Sequence, residues 1–156
     1  MKTFDHLNVI GLREWIGLPQ LGIDKVRAKV DSGARTSALH ASDIETFVRD
    51  GETWVRFNAH TGTPRHPRST PCEARLISYK RIKSSNGQIE ERHVIRTPMV
   101  LGDQSWMADF TLTCRKSMRY RVLLGCAAML DGQLVINPGL RFVQGQPRLT
   151  SILKVE

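Results

Sequence analysis

The sequence has few aromatic residues, no long apolar run and only three cysteines. Aromatic side chains make up 6% of the chain, so platforms on which nucleic-acid bases stack are scarce. No apolar run approaches the ~18 residues that a transmembrane helix needs. The segment from Met1 to Asn8 also lacks the apolar core of a signal peptide. These absences predict a cytoplasmic protein that does not span a membrane.

Patterns for metal and cofactor binding are also lacking. Cys72, Cys114 and Cys126 are odd in number and widely spaced, which is not typical of a disulfide framework. There is no His-Glu-x-x-His helix, no Cys-x-x-Cys pair and no glycine-rich loop ending in Gly-Lys-Ser/Thr. We expect reduced thiols, no metal, no cofactor and no direct use of ATP. A metal site assembled from the scattered histidines and cysteines stays open as an alternative.

Acidic residues are outnumbered by basic ones. The chain has 23 Lys and Arg against 15 Asp and Glu, which gives a net charge of +8. Such a surface attracts polyanions, and nucleic acid, an anionic membrane and acidic peptide all fit. Composition alone favours nucleic acid, so the motifs must decide between these partners.

The apolar pattern predicts an all-β protein. The chain of 156 residues has the size of one domain, and we assign 1–156 to a single domain. Val26, Ala28 and Val30 alternate with basic residues, as in a strand with one buried face. Amphipathic helical stretches are scarce, and one short helix is predicted from Cys126 to Leu130, just after Leu124-Gly125. A closed barrel or sandwich follows.

Short turn signals separate the predicted strands. Asp50-Gly51 and Asn86-Gly87 are dipeptides that supply the positive φ angles of tight hairpins. Gly102-Asp103 and Asp131-Gly132 mark two further turns. Residues 58–72 are polar and rich in proline, and they predict a long loop of the kind that covers binding sites. Either this loop or the Asn86-Gly87 hairpin is a candidate flap.

The stretch that carries chemistry is Val30-Asp31-Ser32-Gly33-Ala34, in which a strand runs directly into Asp-Ser-Gly. In aspartic peptidases the Asp carboxylate is the acid and base of such a loop, the Ser hydroxyl organises the carboxylates, and Gly lets the backbone approach them. Asp-Ser-Gly alone is a common turn sequence. Here it follows an alternating strand, and Val122-Leu123-Leu124-Gly125 supplies the apolar-apolar-Gly strand ending that supports this loop in retropepsins.

Most of the chain, from about residue 9 to residue 140, resembles a bacterial family long labelled ATP-dependent zinc proteases. The resemblance is carried by residues 11–23, 29–41, 83–87, 94–97 and 124–125, and the run from Lys29 to Ala41 is the most specific. The family is similar to retropepsins in fold and catalytic loop. The resemblance therefore implies a retropepsin-like, acid-protease barrel in which Asp31, Ser32 and Gly33 form the catalytic loop.

Partners and substrate are also implied by the resemblance. Some members of the family are similar to partners of an ATP-grasp ligase that adds glutamate tails to a small-subunit ribosomal protein. This implies hydrolysis of α-linked oligoglutamate, a substrate that suits a chain of charge +8. We assign substrate binding to Ala34, Arg35, Lys83, Arg92 and Arg96, which lie beside the loop or in the matched middle segment. Arg115, Lys116, Arg119 and Arg121 would extend a positive channel.

A single Asp-Ser-Gly predicts a homodimer. Aspartic peptidase chemistry uses two carboxylates that share one proton, and this chain supplies one. An isologous two-fold interface presents the same residue twice, so both Asp31 side chains would meet on the axis.

Two departures from the family keep other functions open. Cys126 stands where members usually have Arg, and Asn137 replaces the Asp of a Val-Asp-Pro run. They put the dimer contact in question and motivate an alternative, a catalytically inactive module that binds acidic peptides. A small basic RNA-binding β-barrel is the second alternative, although aromatic residues interleaved with basic ones are few.

Overall fold

A computed structural model describes residues 8–83, 86–114 and 119–149. Within them, ten strands, one 3-10 turn and one α-helix follow in chain order. They are β1 (Asn8–Ile10), β2 (Arg13–Leu18), the turn Pro19–Leu21, β3 (Ile23–Val30), β4 (Ser37–Arg49), β5 (Glu52–His60), β6 (Ser69–Lys83), β7 (Ile89–Leu101), β8 (Gln104–Thr113), β9 (Val122–Leu124), α1 (Cys126–Asp131) and β10 (Leu134–Ile136).

Eight of the strands form one sheet that closes on itself. Its order is β2-β3-β9-β4-β5-β6-β7-β8, and further pairings join β2 to β7 and β4 to β8. β1 and β10 pair in parallel as a separate two-stranded sheet. The all-β barrel and the single short helix after Leu124-Gly125 are therefore confirmed, with the helix ending at Asp131.

The predicted hairpins occur where the turn dipeptides lie. Asp50 and Gly51, between β4 and β5, have φ angles of 52° and 77°. Gly87, between β6 and β7, has a φ of 84°. Arg49 pairs with Glu52, so Asp50-Gly51 forms a two-residue hairpin whose left-handed conformations match the twist of the strands. The β6–β7 connection is longer, because Lys83 pairs with Ile89 and five residues lie between them. The β6–β7 hairpin as a whole is also the longer of the two.

The inward faces of the strands fill the barrel. β3 buries Val26, Ala28 and Val30 and turns its basic residues outward, as its alternation predicts. Phe57 and Phe110 are the largest fully buried side chains. Burial of one such side chain contributes about 1.5–3 kcal/mol, so a core of this kind holds the barrel without disulfides.

One buried carboxylate connects the barrel to the C-terminal segment. Glu14 is fully buried in β2. Its oxygens accept backbone N–H groups from Gly11 at 2.8 Å, Val143 at 2.9 Å and Gln144 at 3.0 Å. Three donors compensate the cost of burying the carboxylate, and they fix residues 143–144 against β2.

The long loop predicted at 58–72 is shorter than expected. β5 continues to His60 and β6 begins at Ser69, so only residues 61–68 lie outside strands. The two ends of the segment pair with each other, His60 with Ser69 and Asn58 with Pro71. Strand pairing satisfies their backbone groups even though the sequence is polar and contains prolines, and the prediction of a 15-residue loop was wrong.

No helix of the described residues is long and apolar enough to cross a membrane, since α1 has only six residues. The three cysteines differ in their surroundings. Cys72 is buried in β6, Cys114 is exposed, and Cys126 is partly exposed at the start of α1.

Burial raises the pKa of the Cys72 thiol to about 11, so we expect it to resist alkylation in the folded protein. The thiolate is the reactive form, and at pH 8 only about 0.1% of a thiol with that pKa is ionised. Iodoacetamide at pH 8 should modify Cys114 while leaving Cys72 unmodified, as measured by peptide mass spectrometry. The rate at Cys72 should rise about tenfold per pH unit toward pH 11. Equal rates at the two thiols under native conditions would contradict this assignment.

Candidate active site

The Asp-Ser-Gly loop follows β3 directly. β3 ends at Val30, and residues 31–36 lead into β4. The N–H of Asp31 donates to the carbonyl of Leu124 at 2.9 Å, which ties the first loop residue to the end of β9. The N–H of Gly33 donates to Asp31 Oδ1 at 2.9 Å. A backbone amide therefore orients the carboxylate from within the loop, as the motif predicts.

β9 supports the loop from behind. It lies between β3 and β4, parallel to β3 and antiparallel to β4. The N–H groups of Cys126 and Ala127, at the start of α1, donate to the carbonyls of Ala34 and Arg35 at 2.8 and 2.9 Å. The loop thus supplies acceptors for two amides of the first helical turn, which have no acceptor within the helix.

Ser37 is a supporting residue that the sequence did not reveal. It is buried, and its Oγ accepts the N–H of Gly125 at 3.0 Å. A serine at the start of a strand gives no sequence signal for this role, because its partner is 88 residues away. Ser32 is exposed, and its carbonyl oxygen lies 2.9 Å from the Cys126 thiol.

Four of the five predicted substrate-binding residues lie with Asp31 around one cavity of about 470 Å³. They are Ala34, Arg35, Lys83 and Arg92. Lys80 and Arg81, which the sequence did not single out, also line it. Of the described residues around this cavity, Asp31 is the only acidic one, and five are Lys or Arg. One carboxylate thus faces a strongly cationic wall.

Arg92 is the least exposed of these cations. Its side chain is 10% exposed, and its only ion pair among the described residues is a 3.4 Å contact with Glu90. Its Nε is buried without a hydrogen-bond partner in that part of the chain. Leaving a buried donor unsatisfied costs about 1–3 kcal/mol. A ligand carboxylate in the cavity would supply the missing acceptor.

Lys80 extends the same wall from the neighbouring strand. It stands opposite Arg92 in the β6–β7 ladder, and its Nζ donates to Thr36 Oγ1 at 2.9 Å. This hydrogen bond connects the β6–β7 hairpin to the segment that follows the Asp-Ser-Gly loop. The hairpin therefore borders the cavity that contains Asp31, whereas residues 61–68 line other cavities.

Arg96 is not brought together with Asp31. Its guanidinium forms a two-pronged ion pair with Asp109, with distances of 2.7 and 3.2 Å. The hydrogen bond that Arg96 donates to the Asp109 carboxylate raises the pKa of Arg96. β6 has a register shift between Leu76 and Ser78, opposite Ile95 and Val94. On β7, Arg92 and Val94 are buried before this irregularity, and Ile95 and Thr97 are buried after it. Arg92 therefore faces inward, whereas Arg96 faces outward.

Two other residue groups named from the sequence have different outcomes. Arg115 and Lys116 lie outside the described residues. Arg119 and Arg121 line a second cavity, which does not include Asp31. Within the described residues, no group of three or more His, Cys, Asp or Glu side chains is arranged to hold a metal ion.

Comparison with known proteins finds relatives that are similar in sequence and a solved structure that is similar in fold. A probable alpha-L-glutamate ligase from Shewanella halifaxensis is 45% identical over 142 residues, which cover 91% of this chain and 31% of that protein. One of the same description from Desulfotalea psychrophila is 42% identical over 146 residues, again 31% of its length. The chain thus spans about a third of these relatives.

A solved structure shares the fold. It is a Legionella pneumophila protein of unknown function, with a TM-score of 0.74 and 27% identity, and the match covers 88% of this chain and 98% of that one. The model of the retropepsin-like aspartic endopeptidase RimB matches residues 9–147, nearly the whole described chain. Together with the Asp31 loop and the closed barrel, this match shows that the chain belongs to the RimB-like family of retropepsin-like aspartic endopeptidases.

Proposed function

We propose that this chain is an aspartic endopeptidase that cleaves α-linked oligoglutamate with a pair of Asp31 carboxylates, one from each chain of a homodimer. The observation that carries the proposal is the cavity in which Asp31 is, among the described residues, the single acid beside five cations. Guanidinium and ammonium groups bind the side-chain carboxylates of glutamate, and Arg adds two parallel hydrogen bonds where geometry allows. Asp31 is left as the acid and base.

The chemistry explains why a second chain is needed. Two carboxylates close together cannot both ionise readily, so the pair holds one proton between them. The ionised member takes a proton from water, and the resulting nucleophile attacks the peptide carbonyl. The protonated member donates a hydrogen bond to the carbonyl oxygen, and proton transfer to the amide nitrogen releases the product. With one Asp-Ser-Gly in the chain, a two-fold dimer supplies both groups.

The β6–β7 hairpin is our candidate for the flap. Lys80, Lys83 and Arg92 lie on its two strands and border the Asp31 cavity. The hairpin would lower onto a bound peptide, exclude water and bring its cations to the glutamate side chains. The alternative flap, residues 61–68, lines other cavities.

The relatives support glutamate polymers as the substrate class. Proteins described as probable alpha-L-glutamate ligases contain a segment similar to this chain over about a third of their length. A peptidase that trims what a ligase builds would work on the same polymer. We therefore propose a glutamate-tailed ribosomal protein as the physiological substrate and an ATP-grasp glutamate ligase as a partner.

The proposal is tested by incubating the protein with an α-linked oligoglutamate peptide and, separately, with a neutral peptide of equal length. Mass spectrometry should show internal cleavage of the acidic peptide alone, with or without a chelator. Binding of the acidic peptide without cleavage would instead favour an inactive peptide-binding module. Binding of RNA in preference to either peptide would favour the basic RNA-binding barrel.

Replacing Arg92 with Met should weaken substrate binding more than catalysis. We expect KM for oligoglutamate to rise about tenfold with kcat nearly unchanged, since a lost carboxylate contact of about 1.4 kcal/mol is a factor of ten. Stability should change little, because Met removes a buried guanidinium whose Nε has no partner. Steady-state kinetics with thermal melting measures both quantities.

Arg96→Met is the matched control for Arg92→Met. It removes the same charge four residues along β7, but from a side chain paired with Asp109 outside the Asp31 cavity. KM should stay near the wild-type value in this variant. An equal rise in KM for both variants would show that net charge, and not the position of Arg92, governs binding.

A further inference from the structure

A second cationic cavity lies on the molecule apart from Asp31. Its volume is about 460 Å³, and it is formed by β3, residues 61–68 and the segment before β9. None of the described residues that line it is acidic. Its cations are Lys25, Arg27, Arg68, Arg119 and Arg121. Asp24 is the nearest acid in sequence, and it lines an adjoining depression instead.

Three of the cations of this cavity are held in place by contacts that do not neutralise them. Arg27 stacks on Tyr120 at 5.5 Å, and Lys25 lies over Trp15 at 5.3 Å. Arg121 donates its Nε–H to the carbonyl of Gly62 at 3.2 Å. Among the described residues, none of the cavity's five cations has a carboxylate within 4.0 Å.

Five other arginines of the protein differ in this respect, whereas Arg13, Arg35, Arg65, Arg81, Arg141 and Arg148 have no ion pair with another described residue. Each of Arg49, Arg56, Arg75, Arg92 and Arg96 lies within 4.0 Å of a Glu or Asp side chain. Concentrating unpaired cations in one concave site costs free energy through mutual repulsion. A bound anion would remove that cost, so the cavity has the electrostatics of an anion-binding site.

The position of the cavity connects it to the Asp31 loop. Arg27 precedes Asp31 by four residues in β3, which corresponds to ~13 Å along an extended strand. Alternation places Lys25, Arg27 and Lys29 on the outward face of β3, so a row of cations leads from the cavity toward the loop. An extended peptide covers the same ~13 Å with about four residues.

From these observations we infer that the cavity is an exosite that binds the distal carboxylates of a long acidic peptide whose scissile bond lies at Asp31. The inference rests on the proposed function for the identity of the peptide. Acidic peptide fits better than nucleic acid, because Arg13 and Arg27 both stack on Tyr120, at 5.2 and 5.5 Å. The ring is thereby occupied, whereas a single-stranded nucleic acid needs open aromatic faces. Pro67 is exposed at the cavity and provides apolar surface for glutamate methylenes.

The test compares peptide lengths in a chain that cannot cleave. Fluorescein-labelled α-linked oligoglutamates of about 3 and about 12 residues, ~10 and ~40 Å when extended, are titrated into Asp31→Asn protein and followed by anisotropy, since the shorter peptide cannot span the ~13 Å between Asp31 and the cavity. The double variant Arg27→Gln/Arg119→Gln in this background should lose about three- to tenfold in affinity for the long peptide, as expected for two exposed ion pairs. Affinity for the short peptide should not change.

Arg141→Gln/Arg148→Gln is the control with the same change in charge. Both residues are exposed, and neither lines either cavity. Equal losses for both peptide lengths, or equal losses in this control, would overturn the exosite. So would a variant that loses affinity for single-stranded RNA while keeping affinity for the long peptide.

Failure of the exosite and failure of the proposed function give different results. If the wild-type protein cleaves short and long oligoglutamates equally well and the double variant does the same, the exosite is wrong and the peptidase stands. If the long peptide binds with the predicted dependence on Arg27 and Arg119 but wild-type protein leaves it intact, the exosite stands and the peptidase is wrong.

Discussion

Asp31→Asn should reduce the hydrolysis of oligoglutamate by about a thousandfold or more, because it removes the group that transfers protons in the reaction. Asparagine keeps the shape of the side chain and can still accept the N–H of Gly33 through its amide oxygen. Asp31 is only partly buried, so the fold should tolerate the change. Rates measured by mass spectrometry, together with circular dichroism of the variant, separate loss of chemistry from loss of structure.

Mixing the two proteins tests whether the site is shared between chains. With about a ninefold excess of Asp31→Asn over wild type, nearly every wild-type chain pairs with a variant chain once subunits exchange at random. Activity per wild-type chain should then fall about tenfold, since a dyad needs both carboxylates. A matched mixture with Arg96→Met in place of Asp31→Asn should show no such fall. Unchanged activity in the first mixture would mean that one chain forms a complete site.

Local sequence patterns predicted the barrel and the position of the Asp-Ser-Gly loop at the end of β3 well. The alternation of β3, the Asp-Gly and Asn-Gly turns and the short helix after Gly125 are each decided by a few neighbouring residues. Asp31 could be found for the same reason, because its loop is a contiguous motif. Residues 58–72 were misassigned since pairing between β5 and β6 overrides their polar, proline-containing composition.

The cavity residues that the sequence did not reveal are brought together by pairing between strands that are distant in sequence. Lys80 comes near Asp31 only because β6 pairs with β7 and brings it opposite Arg92. In a regular strand Arg92 and Arg96, four residues apart, would share one face. The register shift between Leu76 and Ser78 separates them, and no local signal in β7 marks that irregularity. The positions of side chains that depend on strand register could therefore be found only from the structure.

Gly125→Ala should lower the free energy of unfolding by about 3 kcal/mol, at the upper end of the effects of overpacking. A Cβ at this position would lie 2.6 Å from the carbonyl carbon of Thr36 and 2.7 Å from its oxygen. These are backbone atoms, so the clash is relieved only if the segment after the Asp-Ser-Gly loop moves. The φ of Gly125 is −97°, which any residue adopts, so close contact is the reason for glycine here.

Gly139→Ala is the matched control, since its nearest neighbour would be the Asn137 side-chain oxygen at 3.3 Å. Its cost should stay below about 1 kcal/mol, as for most exposed substitutions. Urea denaturation followed by circular dichroism measures both variants. An unchanged unfolding midpoint for Gly125→Ala would show that β9 can withdraw from the loop.

Because the amides of Cys126 and Ala127 hold Ala34 and Arg35, the Gly125→Ala chain should also lose oligoglutamate cleavage at temperatures where it is still folded. Activity lost ahead of global unfolding would identify β9 as the element that positions Asp31.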